Sequence, residues 1–201
     1  MAILKNDTVY EDEIFSGMKA VSLKVSRSTF EECQFLDCDL AEAEFDQCRF
    51  IECEFRDSNL NVTKLPGSRF FESQFKDCKV TGINWTSLDW TGITLSAPMA
   101  FESCDLSFSV FNSLSLPGLI IKNCKAWYAD FEACDLTHSV FTNTDLQDAR
   151  FNGTKLDKSD FDGAVNYYID PMGNSIREAH FDFPEVINLL KAFDIKIKGS
   201  D

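Results

Sequence analysis

The sequence predicts an all-β solenoid, a rod of short stacked coils, on three observations. Large apolar residues recur every fifth position from Phe30 to Leu95 without a miss, beginning Phe30, Phe35, Leu40, Phe45, Phe50 and Phe55. A small residue stands two positions before each centre in the best-ordered part, as Ser28, Cys33, Cys38, Ala43, Cys48 and Cys53. All eight cysteines obey that second rule. A period of five is neither the helical 3.6 nor the strand's 2. A fixed short period marks a repeat architecture.

Five residues turning one corner leave two inward side chains, one large and one small, and three facing water. Stacked coils then pair through backbone hydrogen bonds at the ~4.8 Å strand spacing. Residues 1–29 keep the phase at Tyr10, Phe15, Ala20 and Val25, but scattered charges blur it, so an irregular N-terminal capping coil is expected. Residues 30–96 form the first regular run. The phase slips by one residue through Ala97-Pro98-Met99-Ala100, and a second run, 97–163, resumes at Phe101. The slip reads as a one-residue insertion, with no projecting loop. Together the runs hold 27 centres, 13 Phe and 9 Leu, with Phe30, Phe50 and Phe70 in one stack down the axis. At four pentads to a coil the rod is a little under seven coils, roughly 33 Å long.

Residues 81–100 break the small-residue rule with Ile83, Leu88 and Ile93, beside Trp85 and Trp90 at centres. Leu114 and Leu119 do so again. Bulky side chains crowd a narrow interior, so some of these are expected to turn outward or widen the coil. The stretch reads as a local bulge, or alternatively as an apolar contact patch. Residues 164–201 change character and are expected to form a C-terminal cap with a short helix. Asp182 reads as its N-cap, Pro184 lies in the first turn, and Glu185 stands three after the cap. Val186, Leu189, Leu190 and Phe193 give it one apolar face, and Ile195 and Ile197 alternate like a short strand.

The cysteines read as small buried hydrophobes interchangeable with Ala, Ser and Thr. Their close spacings are multiples of five, without CxxC or a neighbouring His, which argues against zinc and against a disulfide framework. No catalytic constellation, phosphate-binding glycine loop or dinucleotide fingerprint is present, and His138 and His180 are isolated. The expectation is a non-enzymatic protein without cofactor or metal. Formal net charge is −14, from 33 acidic and 19 basic residues, which argues against nucleic acid as a direct ligand and favours a basic partner. The opening residues lack a signal peptide and no apolar stretch reaches membrane-span length, so a cytoplasmic protein without membrane contact is expected.

The triplets Cys38-Asp39-Leu40, Ala43-Glu44-Phe45, Ser58-Asn59-Leu60, Cys104-Asp105-Leu106 and Cys134-Asp135-Leu136 carry a resemblance. Over residues 28 to 163 the chain resembles the pentapeptide-repeat family, whose motif is Ala-(Asp/Asn)-Leu-X-X. The resemblance implies a right-handed quadrilateral parallel β-helix with four pentads to a coil. Among family members the chain looks most like the quinolone-resistance (Qnr) and microcin- or albicidin-immunity proteins, which protect DNA gyrase and topoisomerase IV. The resemblance implies an acidic rod that imitates DNA in the enzyme's saddle, and a homodimer joined through the C-terminal element, here Val186, Leu189, Leu190, Phe193, Ile195 and Ile197. The absence of a projecting loop makes the immunity type the nearer comparison.

With 20 residues per coil, Glu32, Glu52 and Glu72 are expected in one outward column and Asp37, Asp57 and Asp77 in a second, with Glu42 adding to a third. Such columns, at ~4.8 Å per rung, imitate the ~3.4 Å charge spacing of a DNA strand only coarsely. Arg49, Arg69, Lys76 and Lys79 are expected to neutralise them in part. The alternative function is a scaffold or regulatory interaction module unrelated to topoisomerase.

Overall fold

The computed structural model describes residues 4–91, 99–193 and 195. It is a quadrilateral parallel β-helix of about eight turns with one short helix at its C-terminal end. Eight turns at ~4.8 Å make a rod of about 38 Å.

Every strand pairing is parallel, because each rung lies over the one a full coil earlier. Phe30 pairs with Phe50 and Phe50 with Phe70 on the first face, while Phe35 pairs with Phe55 and Phe55 with Phe75 on the second. The ladder extends beyond the regular run at both ends. Val9–Glu11, Ile14–Ser16 and Lys24–Ser26 are strands in full 20-residue register with the coil that follows, so the lead-in is an ordinary coil. At the other end Asp160 pairs with His180 and Phe161 with Phe181.

The inward face is an aromatic column. Tyr10, Phe30, Phe50 and Phe70 stack at 5.0, 5.0 and 4.7 Å between ring centroids, as the period predicts. Phe15, Phe35, Phe55, Phe75 and Phe101 form a parallel stack on the next face. Offset stacks of this kind add ~0.5–1.5 kcal/mol per pair to the burial itself.

All eight cysteines are buried and free. Their position explains why Cys, Ser and Thr alternate there. Cys53 Sγ lies 3.3 Å from the Phe30 carbonyl oxygen, 23 residues back, and 3.5 Å from that of Ile51. Ser58 Oγ makes the equivalent bonds to Phe35 and Arg56, at 3.1 and 2.8 Å, and Thr63 Oγ1 donates to Leu40 at 3.0 Å. The site therefore takes a small side chain, and Cys, Ser and Thr can donate there while Ala43 and Ala129 fill it without a donor.

The junction differs from the expectation of a one-residue insertion. Phe75 pairs with Phe101, Lys79 with Asp105 and Asn84 with Val110, each 26 residues apart, against 20 in the described ladder before and after the junction. The insertion is thus six residues. Asp89 still keeps the ordinary register, its N–H donating to Ser68, so the six fall between Asp89 and Met99. Six is one pentad plus one, and the pentad phase alone records only the remainder.

The crowded stretch also resolves differently. Ile83, Leu88, Met99 and Leu119 all point inward and are buried, as is Trp85. Trp90 yields instead: it is only half-buried, and its indole N–H donates to the Trp85 carbonyl at 3.0 Å. Ile93 lies outside the described residues.

The C-terminal element is a 3-10 helix over Glu185–Phe193. Its expected capping box is not formed. Asp182 Oδ1 is buried without a hydrogen-bond partner, and Glu185 turns forward to accept from Asn188 Nδ2 at 2.7 Å. Of its apolar face, Leu189 packs against the core and Val186 is half-buried. Leu190, Phe193 and Ile195 are exposed, and Ile197 lies outside the described residues.

Candidate partner-binding surface

The outward side chains of each coil are set by its corners. Two residues after each centre the backbone enters the left-handed region, so that the chain turns from one face to the next. Glu32, Asp37, Glu42, Glu52, Asp57, Glu72 and Asp77 all hold such corners, with φ between 47° and 58°. That region is disfavoured for L-residues other than Gly, Asn and Asp. Where Leu40, Leu60 or Leu65 is the centre, an i to i+3 hydrogen bond closes the corner, as from Ala43 N–H to the Leu40 carbonyl at 3.0 Å, giving a type II turn.

Corners stack on corners. Glu32 N–H donates to Ile51 and Glu52 N–H to Phe71, while Asp37 N–H donates to Arg56 and Asp57 N–H to Lys76, at 2.8 to 3.1 Å. Glu32, Glu52 and Glu72 therefore form one exposed column, and Asp37, Asp57 and Asp77 a second. The two columns bound the second face on its two long edges, five residues apart, so at most ~16 Å at 3.3 Å per residue. Asp12, with φ 55°, extends the first column by a rung. Carrying the 20-residue spacing back into the lead-in reveals it. Glu42 stands apart: its column continues as Val62, Gly82, Phe108 and Tyr128, and the last two rings stack outside the rod at 5.1 Å.

Of the cations expected to neutralise these columns, Arg69 pairs instead with Asp89 and Lys76 with Glu102 at 3.4 Å, and Arg49 and Lys79 join no ion pair among the described residues. Arg56 pairs with Glu54. Among the described residues none of the six column carboxylates takes part in an ion pair. Ion pairs occur along the whole rod, as Lys24 with Glu44 in the N-terminal half and Lys125 with Asp105, Arg150 with Asp130 and Glu132, and Lys155 with Asp135 in the C-terminal half. Below Asp77 the second column reads Ser103, Asn123 and Asn143. Six exposed carboxylates outside any ion pair among the described residues thus edge one face of the N-terminal half. His138 is exposed at a corner, and no group of three or more His, Cys, Asp or Glu side chains converges on a metal-sized site among the described residues. No described helix is long and apolar enough to cross a membrane.

Comparison with known proteins agrees with this geometry. The fold is similar to that of a trypsin-treated variant of QnrB1, a plasmid-mediated fluoroquinolone resistance protein, at 15% identity and a TM-score of 0.56, over 96% of this chain and 98% of that one. It is also similar to HetL, a pentapeptide repeat protein involved in heterocyst differentiation regulation from the cyanobacterium Nostoc sp. strain PCC 7120, at 13% identity and a TM-score of 0.54, over 87% and 85% of the two chains. No curated protein matches the sequence. The profile of the pentapeptide repeat region matches residues 28–97 and 98–165, and the chain belongs to the pentapeptide-repeat family.

Proposed function

We propose that this protein is a non-enzymatic, acidic DNA mimic that binds a type II topoisomerase, DNA gyrase or topoisomerase IV, and protects it from a toxin or antibiotic. The observation that carries the reading is the pair of unpaired carboxylate columns, Glu32, Glu52, Glu72 and Asp37, Asp57, Asp77, edging a single face. Like charges on neighbouring rungs cost stability, and these six carboxylates stay outside any ion pair among the described residues while Glu44, Glu54 and Asp89 on the same coils are paired. A positively charged groove built for two phosphate strands offers the matching surface. The fold shared with QnrB1 supports the choice of enzyme only through that fold.

Action in the cytoplasm as a homodimer completes the reading. Leu190, Phe193 and Ile195 remain exposed at the end of the rod, where a second copy would cover them through a symmetric contact. The test is gyrase supercoiling with and without toxin, using the wild type and a Glu32→Lys/Glu52→Lys/Glu72→Lys variant. The wild type should restore or modulate supercoiling and the variant should not. No effect of the wild type at any concentration rejects the topoisomerase reading.

The scaffold reading draws on HetL, whose fold is as similar while its described role is regulatory. A pull-down that returns partners other than topoisomerase would favour it.

A further inference from the structure

The first face carries a positive notch inside the acidic half. Its outward column runs Thr29, Arg49, Arg69 in register, and Arg69 pairs with Asp89 of the next rung. Arg69 is committed, since it also donates to Thr91 Oγ1 at 2.7 Å. Arg27, on the neighbouring corner, grips Asp7 through two bonds of 2.7 and 2.9 Å. Arg49, between them, is exposed and makes no side-chain hydrogen bond or ion pair among the described residues. Guanidinium groups on adjacent rungs repel. The column therefore holds a positive charge that the protein itself does not balance.

Two depressions meet at the Arg49–Arg69 pair. One, of about 510 Å³, is polar and is lined besides the pair by Arg27, Thr29, Gln47, Cys48, Gly67 and Asp89, the last engaged by Arg69. A Cβ on Gly67 would stand 3.3 Å from Gln47 Cγ, so glycine keeps that groove open. The other, of about 310 Å³, runs the opposite way over Ile51 and Phe71, and Phe71 is 54% exposed. Beyond that ledge stand Glu52 and Glu72, which repel an anion from that end. The site is thus polarised: charge recognition on the Arg27 side, apolar contact on the Phe71 side.

We propose that Arg49, beside the committed Arg69, binds an oxyanion carried on a flat apolar body, a carboxylate or phosphate monoester attached to an aromatic ring. The oxyanion sits in the fork of the Arg49 guanidinium, where two parallel N–H bonds match carboxylate or phosphate geometry. The ring lies on Ile51 and Phe71. This site is separate from the acidic columns and takes a ligand of opposite charge.

The experiment is calorimetric titration of the full chain with benzoate, phenyl phosphate, acetate and inorganic phosphate, alongside NMR of the arginine Nε–Hε groups. The aromatic probes should bind about tenfold tighter than their counterparts without a ring, with the Arg49 signal shifting. Benzoate against phenyl phosphate decides which oxyanion is preferred. Arg49→Gln should weaken binding about tenfold or more and Arg49→Lys should not restore it, because an ammonium lacks the planar fork. Phe71→Ser should remove only the advantage of the ring. Arg49 is exposed, so an unchanged melting temperature verifies the fold of its variants. No saturable binding of either aromatic probe at millimolar concentration, or equal binding by Arg49→Gln, overturns the proposal.

Discussion

Phe101 stacks on Phe75 at 5.1 Å although 26 residues separate them. Both strands keep parallel pairing through that step, so the six additional residues leave the core column unbroken. Deleting 93–98 should consequently preserve the fold. Met99 would keep the inward position that it already holds. The expected outcome is a melting temperature within about 4 °C of wild type, the shift of ~1 kcal/mol in a chain of this size. Collapse of the cooperative transition would show that the register is mistaken.

The stacked core sets the stability. Phe50 lies between Phe30 and Phe70, at 5.0 and 4.7 Å. Phe50→Ala should cost about 3–5 kcal/mol, read from denaturant unfolding, because a ring-sized cavity interrupts both contacts. A loss under ~1 kcal/mol would mean the coil collapses around the gap.

The buried thiols make stability sensitive to base. Burial pushes the Cys53 thiol up to about 12 from 9.0, and Cys134 up to about 11. Hydrogen bonding to Cys124 raises Cys104 to about 12. The folded state holds these protons more tightly than the unfolded chain. Their contribution is therefore intact below pH 9.0 and declines as pH rises through 11 to 12. Melting temperature should fall across that window, and a Cys53→Ser/Cys134→Ser variant should fall less steeply. Native protein at pH 8 should also resist thiol-specific reagents at all eight positions until unfolded.

The corners allow charge to be removed without disturbing the backbone. Glu52, at φ 51°, pays for a conformation that Asn adopts more readily. Glu52→Asn should leave the protein as stable or stabilise it by up to ~1 kcal/mol, also because it relieves repulsion from Glu32 and Glu72. A clear destabilisation would indicate that the Glu52 side chain has a structural contact.

Much of this was readable in the sequence, for a physical reason. A solenoid repeats its local environment, so one pentad rule assigns Phe50 and Cys53 inward and Glu52 outward at once. The spacing of 20 then places Glu32 over Glu52 without knowledge of any contact. What escaped the sequence depends on non-periodic choices. The period cannot distinguish an insertion of one residue from one of six, which hid the length of the junction. Nor does it say whether Arg69 reaches back to an acidic column or forward to Asp89. Ile83 and Leu119 point inward while Trp90 leaves the core to bond the Trp85 carbonyl, a choice that no repeat rule encodes. The tail was legible only as an apolar pattern, since its cap rests on Asp182 and Glu185 side chains that chose other directions.

The most direct measurement is competition for gyrase between this protein and a fluorescent DNA duplex, followed by anisotropy. Wild type should displace the duplex in a saturable way that weakens with added salt. The equally folded variant with Asn at Glu32, Glu52, Glu72, Asp37, Asp57 and Asp77 should not. Failure of the wild type to displace DNA, or equal displacement by the variant, would contradict the assignment of the two carboxylate columns as the binding surface.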